Sequence, residues 1–111
     1  MNRSIVAGLL ILAALPLFSH SAQADDMSDA LKAFENAKVL FHELKYKEAA
    51  DSFREAYKLK PNWKLLYNIG QSEAAGKRHG LALQAFESYL SQGGDDIEES
   101  RLAAVDRKSV V

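Results

Sequence analysis

The chain has 111 residues, the size of one small domain. Hydrophobic residues make up 48% and charged residues 26%, a globular balance that excludes a disordered tail protein. A formal net charge of −1 removes any general electrostatic drive toward nucleic acid or an anionic membrane. The absence of cysteine excludes a disulfide scaffold, thiol catalysis, a zinc ribbon and a lipid-anchor cysteine.

The opening residues 1–24 have the layout of an export leader. Arg3 and the amino terminus are positive, residues 5–17 are apolar or small, and Ala22-Gln23-Ala24 places small residues where a signal peptidase inspects the chain. The apolar run is shorter than the ~20 residues a membrane span needs, and Pro16 interrupts it. Cleavage after Ala24 is expected, leaving no stable membrane span and an exported, periplasmic protein. His20 would leave with the leader.

Beyond the leader the apolar residues fall at helical spacing. Ala30, Phe34, Ala37, Phe41 and Leu44 form one stripe, widened by Ala33 and Leu40, with Ser28 as the expected N-cap. A second helix carries Tyr46, Ala49, Ala50, Phe53, Ala56 and Tyr57 and stops at Pro61. Asn62 is expected to cap a third, with Trp63, Leu66, Ile69, Gly70 and Ala74 inward and Gly76 at its end. The fourth runs from near Gly80 to Ser91, with Ala82, Ala85, Phe86 and Tyr89 inward, and Gly93-Gly94 terminates it. Asp96 and Glu99 resemble a capping box for a fifth helix from Ile97 onward, expected to pack through Ile97, Ala104 and Val105 near Phe86 and Leu90. No segment sustains a strand period, so the fold class is all-α.

The helices repeat. The interval from Ala49 to Ala82 equals that from Phe53 to Phe86, and its length is a helical-solenoid period. Small Ala49 and Ala82 let paired helices approach, and Phe53 and Phe86 fill the space between hairpins. FHELKYKEAADSFREAYKLKP, with Ala49, Phe53, Ala56 and Pro61, resembles the second half of the tetratricopeptide repeat, and Ile69-Gly70 in LLYNIGQ resembles its opening. LLYNIGQ followed by QAFESYL is also similar to short repeat proteins exported by Gram-negative bacteria. The resemblance implies an α-α solenoid: two helix hairpins over residues 30–62 and 63–94, together spanning 25–94, and a capping helix over 95–111. Asn36-Ala37 departs from the family's large-apolar-then-glycine pair, Gly76 falls one position early, and Tyr89 replaces an alanine.

Catalytic chemistry finds little to build on. His42 and His79 are the strong general bases after the leader, without an orienting partner in the sequence. Asp95, Asp96, Glu98 and Glu99 lie where carboxylates oppose a helix dipole, and calcium-loop spacing is absent. No enzyme activity, cofactor or metal is expected. The family resemblance implies instead a concave groove lined by Leu31, Phe34, Lys38, Phe41 and His42 of the first repeat and Lys64, Tyr67, Asn68 and Gln71 of the second. Phe34 and Lys38 stand where the family's terminal-carboxylate clamp has Lys and Asn, so that clamp is not supported. Phe34 and Phe41 serve either this groove, or the core or a neighbouring subunit. The expected function is a non-enzymatic scaffold binding a peptide or helix of another protein in the cell envelope. The alternatives are a self-associating structural unit or an accessory subunit of an envelope enzyme.

Overall fold

The computed structural model describes residues 19–109, and among them all regular structure is helical. Five α-helices follow in order: α1 (Ser19–His42), α2 (Tyr46–Leu59), α3 (Lys64–Ala75), α4 (His79–Gly93) and α5 (Glu99–Ser109). Of the expected leader, residues 1–18 lie outside the described part. Ser28 does not cap the first helix but sits within α1, where no proline or glycine interrupts residues 19–42.

The turns joining α1 to α2 and α3 to α4 have the same geometry. Leu44 and Lys77, separated by the same interval as Ala49 and Ala82, are both left-handed, with φ of 64° and 61°. In the first turn Lys45 N–H donates to Leu40 O at 2.9 Å and Leu44 N–H to Phe41 O at 3.0 Å. In the second, Arg78 N–H donates to Glu73 O at 2.9 Å and Lys77 N–H to Ala74 O at 3.0 Å. This paired closure satisfies the carbonyls that a helix end leaves open. The sequence period is therefore repeated in the backbone, and the described chain is a helical repeat. Leu44, expected to face inward, is instead the exposed left-handed turn residue, because α1 has already ended at His42.

The core lies between the paired helices. Ala49, Ala50, Phe53 and Ala56 of α2 and Ala82, Ala85, Phe86 and Tyr89 of α4 are buried, as their spacing predicts. A Cβ added at Gly70 would stand 2.6 Å from Phe86 Cδ1 and 2.8 Å from Cζ, so the ring needs a glycine there. Ala37 holds the matching position of the first hairpin and is fully buried. Phe53, its aromatic counterpart, takes an edge-on contact from Phe34 at 5.7 Å. Ser52 Oγ donates to Ala33 O at 2.8 Å and accepts from Asn36 Nδ2 at 3.1 Å, tying α2 to α1. Beyond α2, Lys60 turns extended ahead of Pro61, and Asn62 Oδ1 accepts from Lys64 N–H at 3.1 Å as expected of a cap.

One buried group was not foreseen. Glu73 of α3 is fully buried, with Oε1 accepting from Arg78 Nη2 and Oε2 lying 3.4 Å from Arg54 Nη2 of α2. A buried carboxylate persists only when paired. These two guanidiniums, each partly open to solvent, compensate it.

The chain leaves α4 through a 3-10 turn over Gly94–Asp96, with Gly94 at φ 50°. Asp96 therefore does not start the fifth helix. Ile97 is extended and buried, and α5 begins two residues later. Ile97 and Val105 join the core cluster with Phe86, and Ala104 packs against it, as expected.

Candidate functional site

The first helix of each hairpin, α1 and α3, supplies the residues expected to form the groove. Lys38, Phe41 and His42 from the end of α1 meet Asn68 and Gln71 of α3 around a cleft of about 160 Å³ with Phe53 also in its lining. These five residues come together because α1 and α3 occupy the same register of successive hairpins. Lys38 is held in place by Glu35 at 3.2 Å and by the Phe34 ring, whose centroid is 5.3 Å from Nζ. Phe41 is half-buried, edge-on to Tyr46 at 5.1 Å, and presents its remaining surface to the cleft. A recess of about 430 Å³ continues the groove, lined by Phe41, Gln71, Ala74, Ala75, Lys77, His79 and Lys108. Neither cleft has a carboxylate among its described lining residues. The surface combines an aromatic anchor, two amides and several cationic or imidazole groups.

The other expected positions divide differently. Leu31 is 60% exposed and lines neither cleft. Phe34 is half-buried and edge-on to Phe53, which makes it a packing residue. Tyr67, expected to stay partly exposed on the groove, is buried. Its ring packs against Phe86 and Tyr89 of α4 at 6.0 and 5.4 Å, and α5 brings Arg101 to 4.3 Å and Lys108 to 5.6 Å from its centroid. Two cations one heptad apart on α5 therefore cover the aromatic ring. Gln71 Nε2 donates to the Tyr67 hydroxyl at 3.0 Å and stands between the covered and open parts of the face.

A further cleft of about 290 Å³ lies where α3, α4 and α5 meet. Lys64, Tyr67 and Asn68 reach it, together with Trp63, Tyr89, Asp96, Glu98 and Arg101. Trp63 and Tyr89 are 5.3 Å apart, Tyr67 and Tyr89 5.4 Å. Burial pushes the Tyr89 hydroxyl above its ordinary pKa; Arg101 opposes the shift, while Tyr67 and Glu98 add to it.

Arg101 and Lys108 were missed as wall residues of this face, although their spacing of seven on one helix was a readable sign. Among the described residues, no three His, Cys, Asp or Glu side chains converge on a metal-sized site. His42 and His79 stand in different recesses. No described helix is long and apolar enough to cross a membrane. Comparisons with family models, curated proteins and solved structures each return no match.

Proposed function

We propose that this chain is a tetratricopeptide-type solenoid that works without catalysis, as an exported protein–protein interaction scaffold of the bacterial cell envelope. It would hold a peptide or helix of its partner against the α1/α3 face. One observation carries this reading: Lys38, Phe41, His42, Asn68 and Gln71, from two helices in the same repeat register, line a single cleft. An aromatic ring beside amide groups suits an extended or helical segment, because the ring supplies apolar area and the amides meet backbone polar groups. The placement of export rests on the leader-like residues 1–24.

Site-specific photo-crosslinking tests the reading. A photoreactive amino acid at His42 or Gln71 is expected to trap a discrete partner from the cell envelope, and the same group at the exposed Glu55 or Lys58, on α2, is not. Equal labelling from both faces, or none from the α1/α3 face, would refute the scaffold. The mass of the exported protein tests the leader, since cleavage after Ala24 leaves Asp25 first.

A further inference from the structure

α5 stands in the register of α1 and α3. Leu102-Ala103 follows Ile69-Gly70 by the same interval that separates Phe53 from Phe86, so α5 repeats the first helix of a hairpin, and no second helix covers it among the described residues. Between α4 and α5 lies an open cleft of about 430 Å³, lined by Leu83, Phe86, Glu87, Leu90, Leu102, Val105 and Asp106. Every one of these has a counterpart one repeat earlier, on α2 or α3. Leu83 matches Ala50, Leu90 matches Tyr57 and Leu102 matches Ile69. In the earlier hairpin this surface is closed: Ala50 is 0% and Ile69 3% exposed, and Tyr57 donates to Gln92 of α4 at 3.3 Å. Leu83 and Leu102 remain 42% and 41% exposed. By register the α4/α5 surface corresponds to that one, and among the described residues no helix covers it.

The charges say what kind of helix would fit. In the earlier hairpin Arg54 pairs with Glu73, and Arg78, immediately before α4, pairs with the same carboxylate. The counterparts of Arg54 and Glu73 are Glu87 and Asp106. The cleft thus carries two carboxylates where the closed surface carries an ion pair, and the cation corresponding to Arg78 is not supplied by any described residue lining it. Two like charges at one site favour a cationic visitor.

We propose that the α4/α5 cleft receives an amphipathic helix of a partner protein. Its apolar face rests on Leu83, Leu90 and Leu102, and an arginine or lysine near its N-terminal end meets Glu87 and Asp106. In register this is the placement of α4, which packs on α3 and meets α2 through Tyr57 and Gln92. It does not depend on what the α1/α3 face binds.

A synthetic peptide copying residues 77–93, the segment that fills the equivalent position within the chain, is the probe. Labelled peptide titrated with the whole protein should give saturable one-to-one binding by fluorescence anisotropy, with the protein monomeric by light scattering. Leu102→Asp in the protein should weaken binding by about tenfold or more, and Leu31→Asp should leave it unchanged. A peptide with Arg78→Glu should bind poorly to the natural protein and recover on the Asp106→Lys protein, a readout that does not depend on the stability of the Leu102 variant. Absence of saturable binding, or binding indifferent to both Leu102→Asp and the charge exchange, would overturn the proposal. So would a protein dimer that dissociates on Leu102→Asp, since the cleft would then belong to a second copy.

Discussion

Gly70→Ala is the sharpest probe of how the second hairpin is packed. In an exposed helix the change would stabilise by about 1 kcal/mol, since alanine restricts the unfolded chain and favours the helix. Here the new methyl would stand 2.6 Å from Phe86 Cδ1 and 2.8 Å from Cζ, far inside van der Waals contact. Phe86 is almost fully buried and cannot swing into solvent. Forcing one carbon into a filled core costs about 1–3 kcal/mol, so the clash should exceed the propensity gain and the net effect be destabilising. For a domain of this size each kcal/mol lowers the melting temperature by about 4–8 °C, readily measured by circular dichroism at 222 nm. The cause is isolated by repeating the substitution in a Phe86→Leu background. With the ring gone, Gly70→Ala should become neutral or stabilising. Stabilisation in the natural background, or the same penalty in both, would refute the packing argument. The first hairpin is the internal comparison: Ala37 carries that methyl at the matching position, in the same core cluster as Phe53, and Ala37→Gly should lose about 0.5–1 kcal/mol of helix preference.

Leu44→Gly and Lys77→Gly should each stabilise by about 1 kcal/mol in urea unfolding, because both side chains are exposed and both backbones are left-handed, where a Cβ is strained. Arg78→Ala should cost more than Glu73→Leu, toward about 3 kcal/mol. The first strips a partner from a fully buried carboxylate, whereas the second removes the buried charge and leaves two guanidiniums that are each partly open to solvent. Tyr89 holds its proton more tightly folded than unfolded, so its contribution is complete below pH 10 and is lost as pH rises through the raised folded value. Chemical denaturation across pH 9–12 should show Tyr89→Phe flattening that decline, and a decline unchanged by Tyr89→Phe would remove Tyr89 as its cause.

Helices α2, α3 and α4 were legible because small and aromatic residues recur at fixed intervals between Pro61, Gly76 and Gly93-Gly94. Periodicity alone could not locate where α1 begins. Ser28 has the chemistry of a cap, but a serine within an uninterrupted helical run has no obligation to end it. Leu44 continued the apolar stripe on paper, yet the turn needed a left-handed residue at that point and used a leucine in place of glycine. Glu73 has a residue type that is usually exposed, yet it completes the inward series Leu66, Ile69, Glu73 and matches Leu40 of the first hairpin. The repeat register held that information, while residue type pointed the other way. Of the groove, the α1/α3 half was readable as aligned positions on matching helices. The covering of Tyr67 was not, since it depends on where the 3-10 turn after α4 aims α5.

The ionic knot at Glu73 crosses a boundary that a repeat array would otherwise leave weak. Arg54 belongs to the first hairpin, Glu73 and Arg78 to the second, so the buried charge has both of its partners only while the two hairpins are docked. In a one-dimensional array, stability divides into what each unit has alone and what neighbours gain by touching. Here an undocked second hairpin would keep Glu73 with one partner and lose the shelter that hides it from water. The apolar cluster shared by Phe53 and Phe86 supplies the neighbour term, and the Arg54–Glu73 pair, whose attraction is offset by lost hydration, ties that cluster to one way of docking. Two hairpins coupled this way fray together, so Trp63 fluorescence, reporting on the second hairpin, should trace the same transition as total helix content.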